Sequence, residues 1–599
     1  VKYTLHENLS DRKGVISNSH GFLNRDLDTG FSTKWSGYWV PPYKFLDYFS
    51  LRFNGIWLNT DSLQAIEYGD EMIHHHETDS MIIHEEIRAP ESFPGLKIEL
   101  RFENKAESKK AVQIALETGI DIRPKEKDVL NEPYEVEKDE RRVTASRRGK
   151  SIVVKSEDIA GFEGERFTKE HFPGERQICL VPEKPIFRKE VNGGENEKIE
   201  ISIKTSGGSF DRIESHENHL DHKLGRPFSS SIDSLENTIY SREGTGIIAG
   251  HPWFQSYWAR DSFWSVIGLV DAGYFDTAEK ILENFADRGL PGKINPETGT
   301  EEDEKRDDTA PLFIIASEKL RKHHGINQTI SDARQDAMKE LEIKKGIVKH
   351  SPCGTWMDTI KRSSAVDIQS LWLEAARIMD DERHRDLEEG MKKFREKQHL
   401  KDELGESHRT VNTAIPVMLG QVDQKTAENE LEKINGEFSS RYGARTRSVA
   451  DSGYDSSGYH TGSVWGLTTC WAAAANFRYR KDREGCNFLE KLTQFLDRNQ
   501  PGALPEVVDA ESGELLGTPE QAWSAGMFVH IVDSYMLGIK VEKEYVEIDP
   551  AENLSCTRKG KKVRGEEIDF RVENGDVTVL NDPDLDLRYK SRENGKSNR

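Results

Sequence analysis

Cysteine is scarce in this chain of 599 residues. The five present, Cys179, Cys353, Cys470, Cys486 and Cys556, form no C-x-x-C pair, so neither a disulfide framework nor a zinc pattern is implied. Positive charge is short as well: 84 Lys and Arg stand against 106 Asp and Glu, a net charge of −22. Nucleic acid needs a basic footprint that releases counterions, so that partner class is excluded, whereas a neutral or cationic ligand suits the field. Long apolar runs are missing. The most apolar stretch, Ser463 to Phe477, is too short and too broken by Thr to span a bilayer. The opening, Val1-Lys2-Tyr3-Thr4, carries no basic-then-apolar leader, and a cytoplasmic protein without a membrane partner is expected. There is no G-x-x-x-x-G-K-[ST] or G-x-S-x-G, and Gly244-Thr-Gly246-Ile-Ile-Ala-Gly250 misses the dinucleotide spacing by one. No cofactor is therefore expected. His74-His75-His76, with His84 across a predicted turn, is read as solvated strand histidines, and no metal site is expected.

Aromatic mass is plentiful, with 11 Trp, 16 Tyr and 25 Phe, enough for sizeable cores in several domains. Residues 1–206 read with period two, as in Leu96-Lys-Ile98-Glu-Leu100-Arg-Phe102, and predict an antiparallel β-sandwich. A polar stretch, 207–230, reads as a linker. From 231 to 540 the period becomes 3.6. Ala278, Ile281, Leu282, Phe285 and Ala286 share one helical face, as do Phe488, Leu489, Leu492, Phe495 and Leu496. Twelve helices are predicted, near 230–241, 257–273, 275–288, 308–323, 329–345, 364–380, 382–397, 409–420, 424–435, 460–478, 482–498 and 520–538. Residues 541–599 return to a strand pattern (Val572 to Leu580) and end in a charged tail.

The connections alternate. Those from even to odd helices are short, and those from odd to even are mostly long, with Gly, Pro, Trp and carboxylates. Six hairpins closed into an (α/α)6 barrel fit this alternation, with every long loop opening at one end, where a site would lie. The motifs fall in those loops. Trp258-Ala-Arg260-Asp261-Ser262 offers charge-assisted bonds to sugar hydroxyls beside rings for the sugar faces, or else a plain helix start. Lys305-Arg306-Asp307-Asp308-Thr309 reads alone as a helix cap. Cys353-Gly-Thr-Trp356-Met357-Asp358 sets a carboxyl near a Trp, where partial burial would keep it protonated as an acid. Gly458-Tyr459-His460 is expected to open helix ten. Leu504-Pro505-Glu506, followed by Gln521-Ala-Trp523-Ser524, offers a base. Each has a structural alternative as a cap or surface group; their coincidence at one barrel end favours paired-carboxylate hydrolysis.

In content and order, these segments of residues 251–538 resemble the amylo-α-1,6-glucosidase half of glycogen debranching enzymes, an (α/α)6 family related to glucoamylases. The first 200 residues look like the β domain that precedes such barrels in prokaryotic members. The resemblance implies an inverting hydrolase that releases glucose from α-1,6 branch points of glycogen-like α-glucans. Asp358 would be the acid and Glu506 the base. Trp258, Arg260, Asp261, Asp307, Asp308, Trp356, Tyr459, His460, Gln521 and Trp523 would bind substrate. The chain leaves no room for the (β/α)8 transferase half of the bifunctional enzymes. Ala365-Val-Asp367-Ile-Gln-Ser-Leu-Trp372 carries Asp where relatives often have Glu. The alternatives are a glucoamylase- or isomaltase-like hydrolase, argued against by Trp356-Met357-Asp358 in place of a Trp-Glu-Glu context, and a non-catalytic carbohydrate-binding protein. The aromatic opening, Trp35-Ser-Gly-Tyr38-Trp39, is expected to let the sandwich shape subsite walls.

Overall fold

The computed structural model describes residues 1–128, 130, 132–164, 167–168, 179–207, 213–303, 306–405 and 408–589. Lys305, part of the expected linker and the expected charged tail from 590 lie outside the described residues. No helix among the described residues is long and apolar enough to cross a membrane.

Period two becomes two large antiparallel sheets. One is centred on Gly95–Asn104, which pairs with Met81–Arg88 and Asn196–Thr205. The other is centred on Tyr43–Phe53 and Lys110–Pro124. Leu96, Ile98, Leu100 and Phe102 point inward as their alternation requires, and join Phe49, Leu51 and Leu116 in one core.

The twelve expected helices are present among the described residues: α1 (Gly225–Asn237), α2 (Ala259–Ala272), α3 (Phe275–Ala286), α4 (Thr309–His323), α5 (Gln328–Met338), α6 (Val366–Ile378), α7 (His384–Lys392), α8 (Ala414–Met418), α9 (Gln424–Lys433), α10 (Gly466–Arg478), α11 (Asp482–Thr493) and α12 (Ala522–His530). The even helices close a ring: α2 packs on α4, α4 on α6, α6 on α8, α8 on α10, α10 on α12, and α12 back on α2. Each odd helix packs outside, with α3 on α2, α5 on α4, α7 on α6, α9 on α8, α11 on α10 and α1 on α12. Ala278, Ile281, Leu282 and Phe285 bury the apolar stripe of α3, and Gly273 in the left-handed region ends α2 so that the chain can reverse.

Several boundaries differ from expectation. Helix five stops at Met338, seven residues early, because Ile343–Lys344 and Ile347–Val348 pair as a hairpin around Lys345-Gly346, both at positive φ. Helix seven likewise ends at Lys392, before the hairpin Arg395–Glu396/His399–Leu400, and helix eleven at Thr493. Helix ten begins at Gly466, which leaves Tyr459 and His460 in the preceding loop. The stretch expected as a linker includes the strand His219–Asp221 and the first turns of α1. That strand joins Cys556–Val563, Glu566–Glu573 and Asp576–Val579, whose last turn is Asn574-Gly575.

The sandwich packs beside the ring. Phe22 and Trp39 enter the helical core, and the Phe22 ring meets His251 at 4.5 Å. Tyr38 and Trp39 are fully buried, so these two aromatics form the seam and do not wall a subsite. Lys125 reaches from the sandwich to the strand before α2, with Nζ 3.4 Å from Ser256 Oγ.

Candidate active site

The long loops all enter the ring at the N-terminal ends of the even helices. The starts of α2, α4, α6, α10 and α12 have no side-chain cap, so free backbone N–H groups and positive dipole ends converge there. Carboxyls answer them. Asp261 stands in the first turn of α2, Asp308 at the start of α4 and Asp367 in the first turn of α6. Arg260 grips Asp308 through two bonds, Nε to Oδ2 at 2.6 Å and Nη2 to Oδ1 at 3.2 Å, and its Nη1 lies 3.7 Å from Asp358 Oδ2. Burial raises the proton affinity of Asp308 against the pull of Arg260. Burial likewise pushes Asp261 up to about 7, opposed by Arg260 and reinforced by the negative charge of Glu506.

Glu506 is buried and held at both oxygens. The Tyr459 hydroxyl donates to Oε1 at 2.5 Å, and the Thr518 backbone N–H donates to Oε2 at 3.0 Å. Burial raises its proton affinity; the two donors favour the charged form. A Cβ at Gly517 would run into Oε2, so only glycine lets the backbone pass this closely. Tyr459 is 40% exposed and senses the charges of Glu506, Asp261 and Asp358 together, which places all three around its ring. His460, behind it, stacks on Trp465 and bonds Thr359 through Nδ1 at 2.7 Å. Burial, then Arg260 and Arg362, lower His460 to about 3, so the ring is neutral, and its buried Nε2 has no partner among the described residues.

The acid loop differs from expectation in one respect. Asp358 keeps the partial burial expected of it, with 36% of its side chain exposed, but Trp356 does not stand at the surface beside it. Trp356, 4% exposed, turns into the core, where Nε1 donates to Asn412 Oδ1 at 2.7 Å and its ring edges meet His460, Trp465 and Trp471. Two residues of separation in an irregular loop put the two side chains on opposite sides. Asp307 also stands apart from the cluster, accepting from the Ser351 N–H (3.0 Å) and hydroxyl and so bracing the loop that leads to Asp358. Gln521 is turned onto Asp261, and Trp523 is buried beside Trp465. Trp258 is half-buried under the Lys293 ammonium, 4.6 Å from its ring.

A support network lay outside the sequence reading. Arg362 forks onto both oxygens of Asp367 (3.0 Å each), bonds Asp402 at 2.8 Å and Thr355 at 2.6 Å, and fixes the acid loop from beneath. Asn412 links Asp402 to Trp356. Arg362 and Asp367 could have been paired from their spacing of five; Asp402 and Asn412 carry no local signal.

A ring mouth lined with carboxyls, with one carboxyl open and another held by donors, is a site for proton transfer to and from a neutral substrate. Residues 226–432 match the family model of amylo-alpha-1,6-glucosidase, and residues 351–524 match that of the mannosylglycerate hydrolase MGH1-like glycoside hydrolase domain. The chain is a glycosidase. Its (α/α)6 fold is shared with solved glucoamylase-like structures. A bacterial glucoamylase solved with acarbose superposes over 89% of this chain and 97% of its own, with TM-score 0.57 and 13% identity. A putative kojibiose phosphorylase from the human microbiome covers 98% of this chain and 96% of its own, with TM-score 0.61 and 7% identity. At these identities the likeness is one of fold. No curated protein matches the chain.

Proposed function

We propose that this chain is an inverting, exo-acting hydrolase that releases glucose from the α-1,6 branch points of glycogen-like α-glucans. The carrying observation is placement. Asp358 precedes α6 and Glu506 precedes α12, opposite members of the ring, while Arg260, Asp261 and Asp308 open α2 and α4 at the same mouth. Asp358, half-buried at the mouth, gives its proton to the glycosidic oxygen. Glu506, held charged by Tyr459 and Thr518, takes a proton from a water on the other face of the sugar. Inversion needs roughly 6.5–9.5 Å between the two carboxyls, room for that water. Arg260, Asp261 and Asp308 hold the non-reducing glucose. Trp258 and Tyr459 supply ring faces.

The branch-point preference rests on the amylo-alpha-1,6-glucosidase match over 226–432 and on the Trp356-Met357-Asp358 context. In this reading 1–206 is the sandwich, 231–540 the catalytic barrel and 541–599 an appendage, in a cytoplasmic enzyme. The test is incubation with a phosphorylase limit dextrin pretreated by a transferase, with isomaltose and maltotriose in parallel, with and without inorganic phosphate. Free glucose from the dextrin alone, released as the β anomer, is expected. Release from isomaltose or maltotriose assigns a glucoamylase- or isomaltase-like role instead, and no turnover of any substrate assigns a binding protein. Asp358→Asn and Glu506→Gln should each lower kcat by about 10²–10⁴-fold while substrate still binds. Retained stereochemistry overturns the assignment.

A further inference from the structure

Gln521, expected to touch the sugar, has both ends of its amide engaged by the protein and is 1% exposed. Its Nε2 donates to Asp261 Oδ1 at 2.8 Å, and its Oε1 accepts from the Thr518 hydroxyl at 2.8 Å. Thr518 also donates its backbone N–H to Glu506 Oε2 and accepts the Glu506 N–H on its carbonyl, each at 3.0 Å. One loop thus ties the carboxyl that opens α2 to the carboxyl that precedes α12. The backbone beneath is fixed. Gly250 and His251 face Gln521 and Glu520 across a strand pair, and a Cβ on Gly250 would run into the Gln521 amide oxygen. Glu520 is locked by His251 (2.9 Å), Ser234 (2.8 Å) and Gln500 (2.6 Å).

We propose that Thr518 and Gln521 are positioning residues: the Thr518 hydroxyl fixes which way the Gln521 amide faces, so that an N–H is always presented to Asp261 and keeps that carboxyl charged and aimed at the terminal glucose. The proposal rests on the hydrolase reading above for the identity of the sugar. Its physical basis is the two-fold ambiguity of an amide: turned over, Gln521 would set a carbonyl oxygen against a carboxylate, and they repel. Asp261 is the group most open to such control. Burial and Glu506 work against its charge, while Arg260, its own backbone N–H and the Gln521 N–H work for it.

The test uses the full chain with Thr518→Val, which deletes the hydroxyl but keeps the backbone N–H to Glu506, together with Thr518→Ser and Gln521→Leu. The readouts are kcat, KM and the pH profile of kcat/KM between pH 5 and 9. Losing a donor disfavours the carboxylate, so Asp261 binds its proton more tightly and the acidic limb moves to higher pH. Thr518→Val should raise that limb by about one unit, a tenfold change in proton affinity. KM should rise about tenfold at neutral pH, and kcat should stay within about twofold, since the interaction serves binding. Thr518→Ser should restore both values, and Gln521→Leu should move them at least as far. If that variant fails to fold, Thr518→Val carries the test. A higher KM with an unmoved limb would mean that Gln521 binds sugar itself and would overturn the proposal, as would no change in either. Should the wild type cleave none of the glucans, the hydrolase reading has failed separately. The positioning claim is then read from the pH dependence of glucose binding by calorimetry: an upward shift in Thr518→Val supports it, and an unchanged profile, or no glucose binding by the wild type, overturns it.

Discussion

Tyr459→Phe isolates one bond to the proposed base. The hydroxyl lost is the donor 2.5 Å from Glu506 Oε1, and the ring should stay in place, since it packs edge-on against Trp465 at 4.6 Å. Glu506 would keep the Thr518 N–H on its other oxygen. A hydrogen bond to a charged group contributes about 1.5–3 kcal/mol, and one pH unit corresponds to about 1.4 kcal/mol, so the proton affinity of Glu506 should change by roughly one to two units. The sign follows from the donor's preference. A hydroxyl donating to the carboxylate stabilises the charged form, so its removal adds to the upward push that burial already exerts. The base must be charged to work. The acidic limb should therefore move to higher pH in both kcat and kcat/KM, and kcat should recover toward the wild-type value at alkaline pH. Glucose release followed from pH 4.5 to 9 decides it. A uniform loss at every pH would mean that Tyr459 serves the sugar and not the base, and a shift to lower pH would refute the assignment of Glu506.

Three further outcomes follow from the same geometry. Asp261 is raised from 3.8 to about 7 by burial, so between those values the folded chain keeps a proton that the unfolded chain releases, and stability falls as pH rises. Asp261→Asn should abolish activity yet raise stability above pH 7, by up to ~4 kcal/mol and seen as a higher Tm, with the difference vanishing near pH 4. Gly517→Ala would press a methyl group against Glu506 Oε2 and should lower kcat far more than it raises KM in steady-state kinetics. At the other end of the ring, buried Lys561 bonds Asp271 at 2.8 Å and lies 3.3 Å from Asp533, which Arg558 also holds at 3.0 Å. Lys561→Met should destabilise the chain by ~3–5 kcal/mol in urea titration while kcat below the transition is unchanged, because one cation is removed from two buried carboxylates far from the site.

The helices were legible because burial imposes a period that the sequence repeats, as in Ala278, Ile281, Leu282 and Phe285. Their ends were less so. Lys345-Gly346 and Lys397 turn the chain into hairpins that the apolar pattern does not signal, although Asn574-Gly575 announced its turn openly. Within the site, the long loops revealed which residues gather at the mouth, since loop length follows ring topology. They could not reveal which way a side chain turns. Trp356 and Asp358 are two residues apart, and one fills the core while the other is only half-buried. Gln521 read as a sugar ligand because its partner, Asp261, lies 260 residues earlier in the chain. Arg362, Asp402 and Asn412 escaped notice for the same reason: their chemistry is support, assembled from two connections, one before α6 and one before α8.

The same charges bear on the choice between water and phosphate as nucleophile, a choice the shared fold leaves open. A phosphate dianion would need cations free to receive it. Among the described residues, the guanidinium groups whose charge reaches His460 at the mouth are Arg260 and Arg362. Arg260 is already forked onto Asp308 with Asp358 close by, and Arg362 is forked onto Asp367 and bonded to Asp402. The uncapped helix ends offer positive dipoles, but Asp261 and Asp308 stand at two of them. His460 is neutral and adds no charge. Neither of these guanidinium groups is left unpaired to receive a dianion, whereas water meets Glu506, held by two donors in position to take its proton. The electrostatics thus favour hydrolysis over phosphorolysis, and they do so through the residues at the helix starts, where enzymes that share this ring can differ.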